Sequence, residues 1–153
     1  MNPIRNSAKA IIIRDGSLLA IRNRDKEGDG YSLPGGGQNP GEELTTALQR
    51  ECQEEIGTGV QVGELKLIRE YIGRNHEFAE DDGAAHQVEF MFECQIDESY
   101  SPRNGSTPDT YQTSVVWLRL SELDQFRLYP KVLGTMLRCG VPSVPCGYLG
   151  DVN

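Results

Sequence analysis

The sequence predicts a layered α/β or α+β domain, and three observations predict it. Several runs are rich in β-branched and aromatic residues, one long stretch repeats its apolar residues with a helical period, and polar connections bearing Gly or Pro separate them. Ser7 to Ile13 is short, apolar and β-branched, and Asp15-Gly16 turns it into Leu18 to Ile21, so the two read as a hairpin. Asn23 to Gly30 is charged and glycine-containing and reads as an exposed loop before the extended Tyr31-Ser32-Leu33. Pro34 and Gly35-Gly36-Gly37 then interrupt regular structure. Asn39 is placed to cap a helix, with Pro40 at its first position, Glu42 and Glu43 at the positive end of the dipole and Gly57 as the stop. The helix is expected from Pro40 to Ile56.

Val60 to Ile72 and Gln87 to Ile96 read as strands, with a polar loop from Arg74 to Ala85 between them. Asp97 to Thr110, with two prolines and Gly105, reads as an exposed, mobile loop. Thr113 to Leu120 forms a strand around Trp117, Ser121 caps a short helical turn, and Pro130 to Arg138 makes a final helix ending at Gly140. The tail 141–153, with Pro142, Pro145 and Gly147, is read as irregular.

The length of 153 residues suits one domain, 1–153. The first thirty residues lack an apolar stretch with a small-residue cleavage site, and there is no run of about 18 apolar residues, so neither secretion nor membrane spanning is indicated and a cytoplasmic location is expected. Cys52, Cys94, Cys139 and Cys146 form no C-x-x-C pair and read as reduced thiols, the first two as core residues. A net charge of −8 argues against duplex nucleic acid as partner, since phosphate contacts need clustered Lys and Arg. It does not exclude a small phosphate ligand, because divalent cations can sit between an acidic site and polyphosphate.

On the predicted helix Leu44, Ala47 and Leu48 make an apolar stripe, and one heptad later the stripe is acid: Glu51 follows Leu44 and Glu55 follows Leu48 by seven residues. Glu54 joins them. Glu51 and Glu55 repel at i,i+4, the negative end of the helix dipole adds to the cost, and only Arg50 offers relief, to Glu54. Acid clusters on helices are commonly solvated faces, but acids on the continuation of a core stripe point to a metal site. Carboxylates suit hard cations such as Mg²⁺. The glycines at 35–37 allow close backbone approach and supply carbonyls, although the run is not a P-loop.

Gly36, Glu42, Arg50-Glu51, Glu54-Glu55 and Gly57 fit the pattern G-x5-E-x7-R-E-U-x-E-E-x-G-U, with U a bulky aliphatic residue, and Leu33-Pro34-Gly35 leads into it. This motif resembles that of the Nudix hydrolases. Cys52 and Thr58 depart from it at the two aliphatic positions. The resemblance implies an α/β/α sandwich with a mixed β-sheet and hydrolysis of a nucleoside diphosphate linked to another group, water attacking phosphorus. It implies Mg²⁺ or Mn²⁺ held by Glu51, Glu54 and Glu55 with a carbonyl of Gly35 or Gly36, Arg50 orienting the carboxylates, and Glu42 in support. The base is left between Glu54 and Glu89, with Glu77 and Glu80 behind them.

Arg22, Arg24 and Lys26 are candidates for terminal phosphates, although charged loop residues are more often simply solvated, and Tyr31, Phe78 and Phe90 are candidates to stack on a base, each equally readable as core. His76 and His86 show no metal-pair spacing. The leading expectation is a pyrophosphohydrolase of a nucleoside triphosphate or a nucleotide sugar such as ADP-ribose. The alternatives are a dinucleoside polyphosphate or RNA-cap-type hydrolase and a non-catalytic nucleotide sensor. Nothing in the sequence fixes the oligomeric state, though homodimers are common among similar proteins.

Overall fold

The chain changes sheets at Ile12, and that crossing sets the architecture. In the computed structural model, which describes residues 2–143 and 146–153, β1 (Arg5–Ile11) lies in one sheet and β2 (Ile13–Arg14) begins another. There follow β3 (Ser17–Asp25), β4 (Gly28–Ser32), β5 (Gly35–Gly37), α1 (Leu44–Ile56), β6 (Gln61–Ile72), α2 (Ala79–Asp82) and β7 (His86–Gln95). The chain continues with β8 (Gln112–Arg119), β9 (Leu128–Tyr129), α3 (Leu133–Met136) and β10 (Gly147–Asp151). The first sheet has the order β10-β6-β7-β1-β5, with β1 parallel to β7 and antiparallel to β5. The second has the order β2-β3-β4-β9, with β8 beside β3. Both sheets are mixed.

Alternation along the strands divides the core in two. Ala8 and Ala10 of β1 and Leu19 and Ile21 of β3 pack with Leu48, Cys52 and Ile56 of α1. Ile11, Leu18 and Ala20, one residue out of phase, pack with Leu67, Met91, Leu123 and Leu133. Helical elements therefore cover both faces, as an α/β/α sandwich requires. Fully burying a side chain such as Leu48 is worth roughly 1.5–3 kcal/mol, enough to fix which face of α1 turns inward. Among the described residues no helix is long and apolar enough to cross a membrane.

Several local expectations are corrected. The Asp15-Gly16 turn stands, but it joins β2 to β3, while the first part of the expected hairpin strand goes to the other sheet. Residues 23–30 are not a loop: β3 and β4 pair down to Asp25 and Gly28, and Asp29 draws in both Arg22 and Arg24 across the ladder. The glycine run is a strand, β5, pressed so close to β1 that a side chain at Gly35 would strike the Ala8 backbone. The helix starts at Leu44 rather than Pro40, because Gly41 takes a left-handed φ of 87° and Asn39 to Glu42 closes as a turn. Asn39 is a donor there, its N–H reaching Glu42 Oε2 at 2.8 Å.

The connection 74–85 contains α2, Ser121 makes no side-chain cap, and the last helix is cut to Leu133–Met136. The tail is not irregular, since β10 runs parallel to the β6 edge. Its anchors are side chains of β6 and the following turn, which the tail's own sequence does not reveal. Val144 and Pro145 lie outside the described residues.

Candidate active site

Strand β5 lies in the first sheet directly against α1, so the glycine backbone and the acidic turn of the helix face each other. A Cβ on Gly36 would stand 2.5 Å from the Glu51 carboxyl carbon, which shows how closely that carboxylate covers the strand. Glu55, 2% exposed, accepts the Gly35 N–H at 2.8 Å. Glu54 is the most exposed of the three acids, at 37% of its side chain.

Arg50 organises the turn. Its Nε donates to Glu42 Oε1 at 2.6 Å and its Nη2 to Glu42 Oε2 at 3.1 Å, a two-pronged pair that matches the planar fork to the carboxylate. Nη1 reaches Glu51 Oε1 at 2.9 Å and Glu54 Oε2 at 3.5 Å, and Nη2 also reaches the Gly37 carbonyl at 2.9 Å. The Arg50 guanidinium and the Asn39 N–H hold the Glu42 carboxyl down to about 2. Burial pushes the Glu55 carboxyl the other way, up to about 8, against the pull of Lys9 and the Gly35 N–H. Arg50 thus serves three carboxylates, and Glu55 has the Gly35 N–H and the charge of Lys9.

Three residues of this neighbourhood escaped the sequence reading. Lys9 on β1 donates from Nζ to the Gly35 carbonyl at 3.0 Å and lowers both Glu55 and Glu89 through its charge. A lysine alternating with buried alanines in a strand was the available signal. Asp109 stands beside the Glu55 carboxyl and helps to raise it. It is carried there by a loop expected to be mobile, but the Gly105 and Thr107 N–H groups bond the Glu55 and Glu54 carbonyls at 2.9 Å each. Gln112 Nε2 bonds the Glu55 carbonyl at 2.8 Å and Tyr100 Oη the Ile56 carbonyl at 2.8 Å, so the loop caps the end of α1. The third, Arg69, holds Glu89.

Glu89 lies on β7, 5% exposed, accepting from Arg69 Nε at 2.5 Å and Gln87 Nε2 at 2.8 Å. Burial alone would raise its carboxyl, but Lys9 and Arg69 outweigh it and hold it low. Arg22 and Arg24 both pair with Asp29. Tyr31 meets Phe126 edge-on at 5.3 Å and packs on one core cluster, while Phe90 packs on the other. Lys26 pairs with Asp81 at 3.0 Å, Glu77 with Lys131 at 2.8 Å, and Glu80 lies on α2. His76 bonds Asp151 and His86 bonds Glu70, each at 2.6 Å, on the sheet's outer edge rather than in the acidic turn.

Among the described residues no three His, Cys, Asp or Glu side chains converge as a closed metal cage. The donor set nevertheless fits a hard divalent cation that keeps several waters: the Glu51 and Glu54 carboxylates, Glu55 behind them, and the carbonyls of the Gly35–Gly36 strand. The Lys9 ammonium on the Gly35 carbonyl shows that this oxygen already attracts positive charge. On the same face of β1 the buried Ser7 hydroxyl has no partner.

The comparisons with known proteins agree with this geometry. A Nudix hydrolase from Nitrosomonas europaea is 22% identical, covering 80% of this chain and 77% of its own, with a TM-score of 0.64. A MutT protein from Bacillus halodurans is 17% identical over 96% of this chain and 90% of its own, with a TM-score of 0.69. An ADP-ribose pyrophosphatase from Streptococcus suis is 16% identical over 97% and 100%, with a TM-score of 0.60. No curated protein matches the sequence significantly. At such identities these structures establish the shared fold, and the family follows from the model of the NUDIX domain, which matches residues 3–137: the chain belongs to the Nudix hydrolase family.

Proposed function

We propose that the protein is a Mg²⁺- or Mn²⁺-dependent pyrophosphohydrolase that cleaves a phosphoanhydride bond in a nucleoside diphosphate derivative, either a nucleoside triphosphate or a nucleotide sugar such as ADP-ribose. The observation that carries the reading is the under-neutralised turn of α1, where Glu51 and Glu55 face the Gly35–Gly36 backbone, Glu54 is the exposed acid beside them, and Arg50 is shared by Glu51 and Glu54. A small anionic substrate fits an acidic surface only with cations between them. Glu51, Glu54 and Glu55, with the Gly35 or Gly36 carbonyl, would hold the metal, which supplies positive charge to the anhydride oxygens and acidity to water.

The chain's own groups divide the remaining work. Arg50, tied down at one end by Glu42, fixes the directions of Glu51 and Glu54. Glu54, the exposed member, is the base for the attacking water, since among the described residues its one side-chain partner is the long contact to Arg50. Glu89 ranks behind it, because both of its oxygens are engaged and its low pKa opposes proton uptake. The test is release of phosphate or pyrophosphate from nucleoside triphosphates, nucleotide sugars and dinucleoside polyphosphates in Mg²⁺, Mn²⁺ or EDTA. Metal-dependent cleavage of the first or second class is expected. Silence across the panel, with nucleotide still bound, would replace this reading with that of a sensor.

A further inference from the structure

A cleft of about 590 Å³ opens between the tip of the β3–β4 hairpin, α2 and the start of β8, lined by Asp25, Lys26, Phe78, Asp81, Asp82 and Tyr111. It shares Asp25 and Tyr111 with a smaller recess that includes Asp109, and Asp109 stands beside Glu55. The cleft is therefore continuous with the acidic turn of α1.

Its walls present two aromatic rings. Tyr111 is 68% exposed, although its carbonyl is tied to the Arg24 N–H at 2.9 Å, so an apolar ring is held in solvent by an anchored backbone. Phe78 is half-buried and braced edge-on by Tyr129 at 5.8 Å. The polar groups of the cleft are mainly acceptors. Both Asp25 oxygens are taken by Arg127 Nη2, at 2.9 and 3.1 Å. Asp81 has an exposed pair with Lys26, a weak contact in water, and Asp82 takes the Tyr71 hydroxyl at 3.2 Å. A carboxylate accepts about four hydrogen bonds, so Asp81 and Asp82 retain capacity. With three acids and one lysine in its lining, the cleft repels phosphate and attracts flat molecules that donate hydrogen bonds.

We infer that this cleft binds the base of the nucleotide, stacked on Tyr111 and Phe78, and selects bases with an exocyclic amino group, which Asp81 and Asp82 accept from, over uracil and thymine. That the phosphates then run past Asp109 towards α1 rests on the hydrolase reading above; the binding itself does not.

The test is calorimetric titration of adenosine, cytidine and uridine 5′-monophosphates, in EDTA, into the wild type and three variants. Adenosine and cytidine monophosphates are expected to bind about ten-fold or more tightly than uridine monophosphate. Tyr111→Ala is expected to weaken binding by about ten-fold, the usual loss of one stacking ring, and Tyr111→Phe to restore it. Asp82→Asn is expected to narrow the gap between cytidine and uridine. Both positions are exposed, and an unchanged Tm checks that the fold is intact. Equal affinity for the three nucleotides, no binding at millimolar concentration, or indifference to Tyr111→Ala would overturn the assignment. Selective binding without turnover of any anhydride would instead sink the hydrolase reading and leave the cleft standing.

Discussion

At the end of α1, Glu42, Glu51 and Glu54 share one arginine, and Glu55 is buried against a backbone N–H with Lys9 and Asp109 nearby. Across β7, β6 and the outer edge strand β10 of the first sheet, three acids have donors of their own. Glu89 has Arg69 and Gln87; Glu70 has His86 and the Tyr148 hydroxyl; Asp151 has the Ile72 N–H, Asn75 and His76. Both regions are dense in charge, yet among the described residues only the first leaves carboxylate oxygens, on Glu51 and Glu54, without a donor. A closed network of ion pairs and hydrogen bonds holds strands together, whereas an open one has acceptor capacity left for a cation. The density of charge therefore does not mark the proposed site; the shortage of donors does.

The strongest way to break this contrast is to exchange the expected phenotypes. Glu54→Gln removes an exposed acid with one long contact, so it is expected to lower turnover by roughly 10²- to 10⁴-fold while the unfolding midpoint holds. Near-normal turnover on the true substrate would remove Glu54 from the chemistry. Arg69→Met does the opposite. It strands Glu89 in a site 5% exposed and is expected to cost about 3 kcal/mol in urea unfolding, leaving Mg²⁺ affinity by titration little changed. If Arg69→Met abolished activity in a protein of unchanged stability, Glu89 rather than Glu54 would be the base.

Proton linkage sharpens the comparison further. Glu55 moves from an ordinary value of 4.5 to about 8 on folding, chiefly by burial, so between those values the folded chain holds a proton that the unfolded chain has released. Its contribution therefore falls as pH rises through that window and is flat above it. In EDTA, the wild type minus Glu55→Gln difference is expected to decline by on the order of 5 kcal/mol across the window. Divalent cation, replacing the proton, is expected to flatten that decline in the wild type. Denaturant unfolding at a series of pH values measures both. A difference that does not change with pH would mean that Glu55 is ionised throughout and that the turn is better neutralised than its partners suggest.

Much of this was legible in the sequence, and what was not has physical reasons. The spacing from Gly36 to Gly57 identified the helix, its acids and the family, because one helix and the strand before it supply the whole motif. The acid stripe could be seen from the heptad offset of Leu44 and Leu48 alone. Lys9, Asp109 and Tyr111 come from β1, a long loop and the start of β8, and their proximity to the site depends on tertiary contacts that no local period encodes. The start of α1 was misplaced because Pro40 is a good first-turn residue, while Gly41's left-handed φ overrides it. Strand β10 was missed because Gly-Tyr-Leu-Gly has little β pattern of its own, and its order comes from the β6 edge that it joins. Arg22 and Arg24 looked free in a charged stretch, and only the β3–β4 register brings Asp29 to both.

The smallest expected effect belongs to that outer edge. Burial by itself would raise the Asp151 carboxyl, but bonds from Asn75, His76 and the Ile72 N–H outweigh it and hold it at about 2. Because the folded value lies below the unfolded 3.8, its stabilisation is complete above that pH and is lost as the pH falls towards 2. Asp151→Asn keeps the shape and one acceptor oxygen, so at neutral pH it is expected to cost about 1 kcal/mol, or roughly 2–4 °C in Tm. Near pH 2 the wild type and the variant should converge. Metal affinity at the α1 turn should be the same in both, since Asp151 touches none of its acids. A variant that lost Mg²⁺ affinity while keeping its Tm would show that the outer edge transmits to the catalytic turn through β6 and β7, making the closed network part of the site rather than its support.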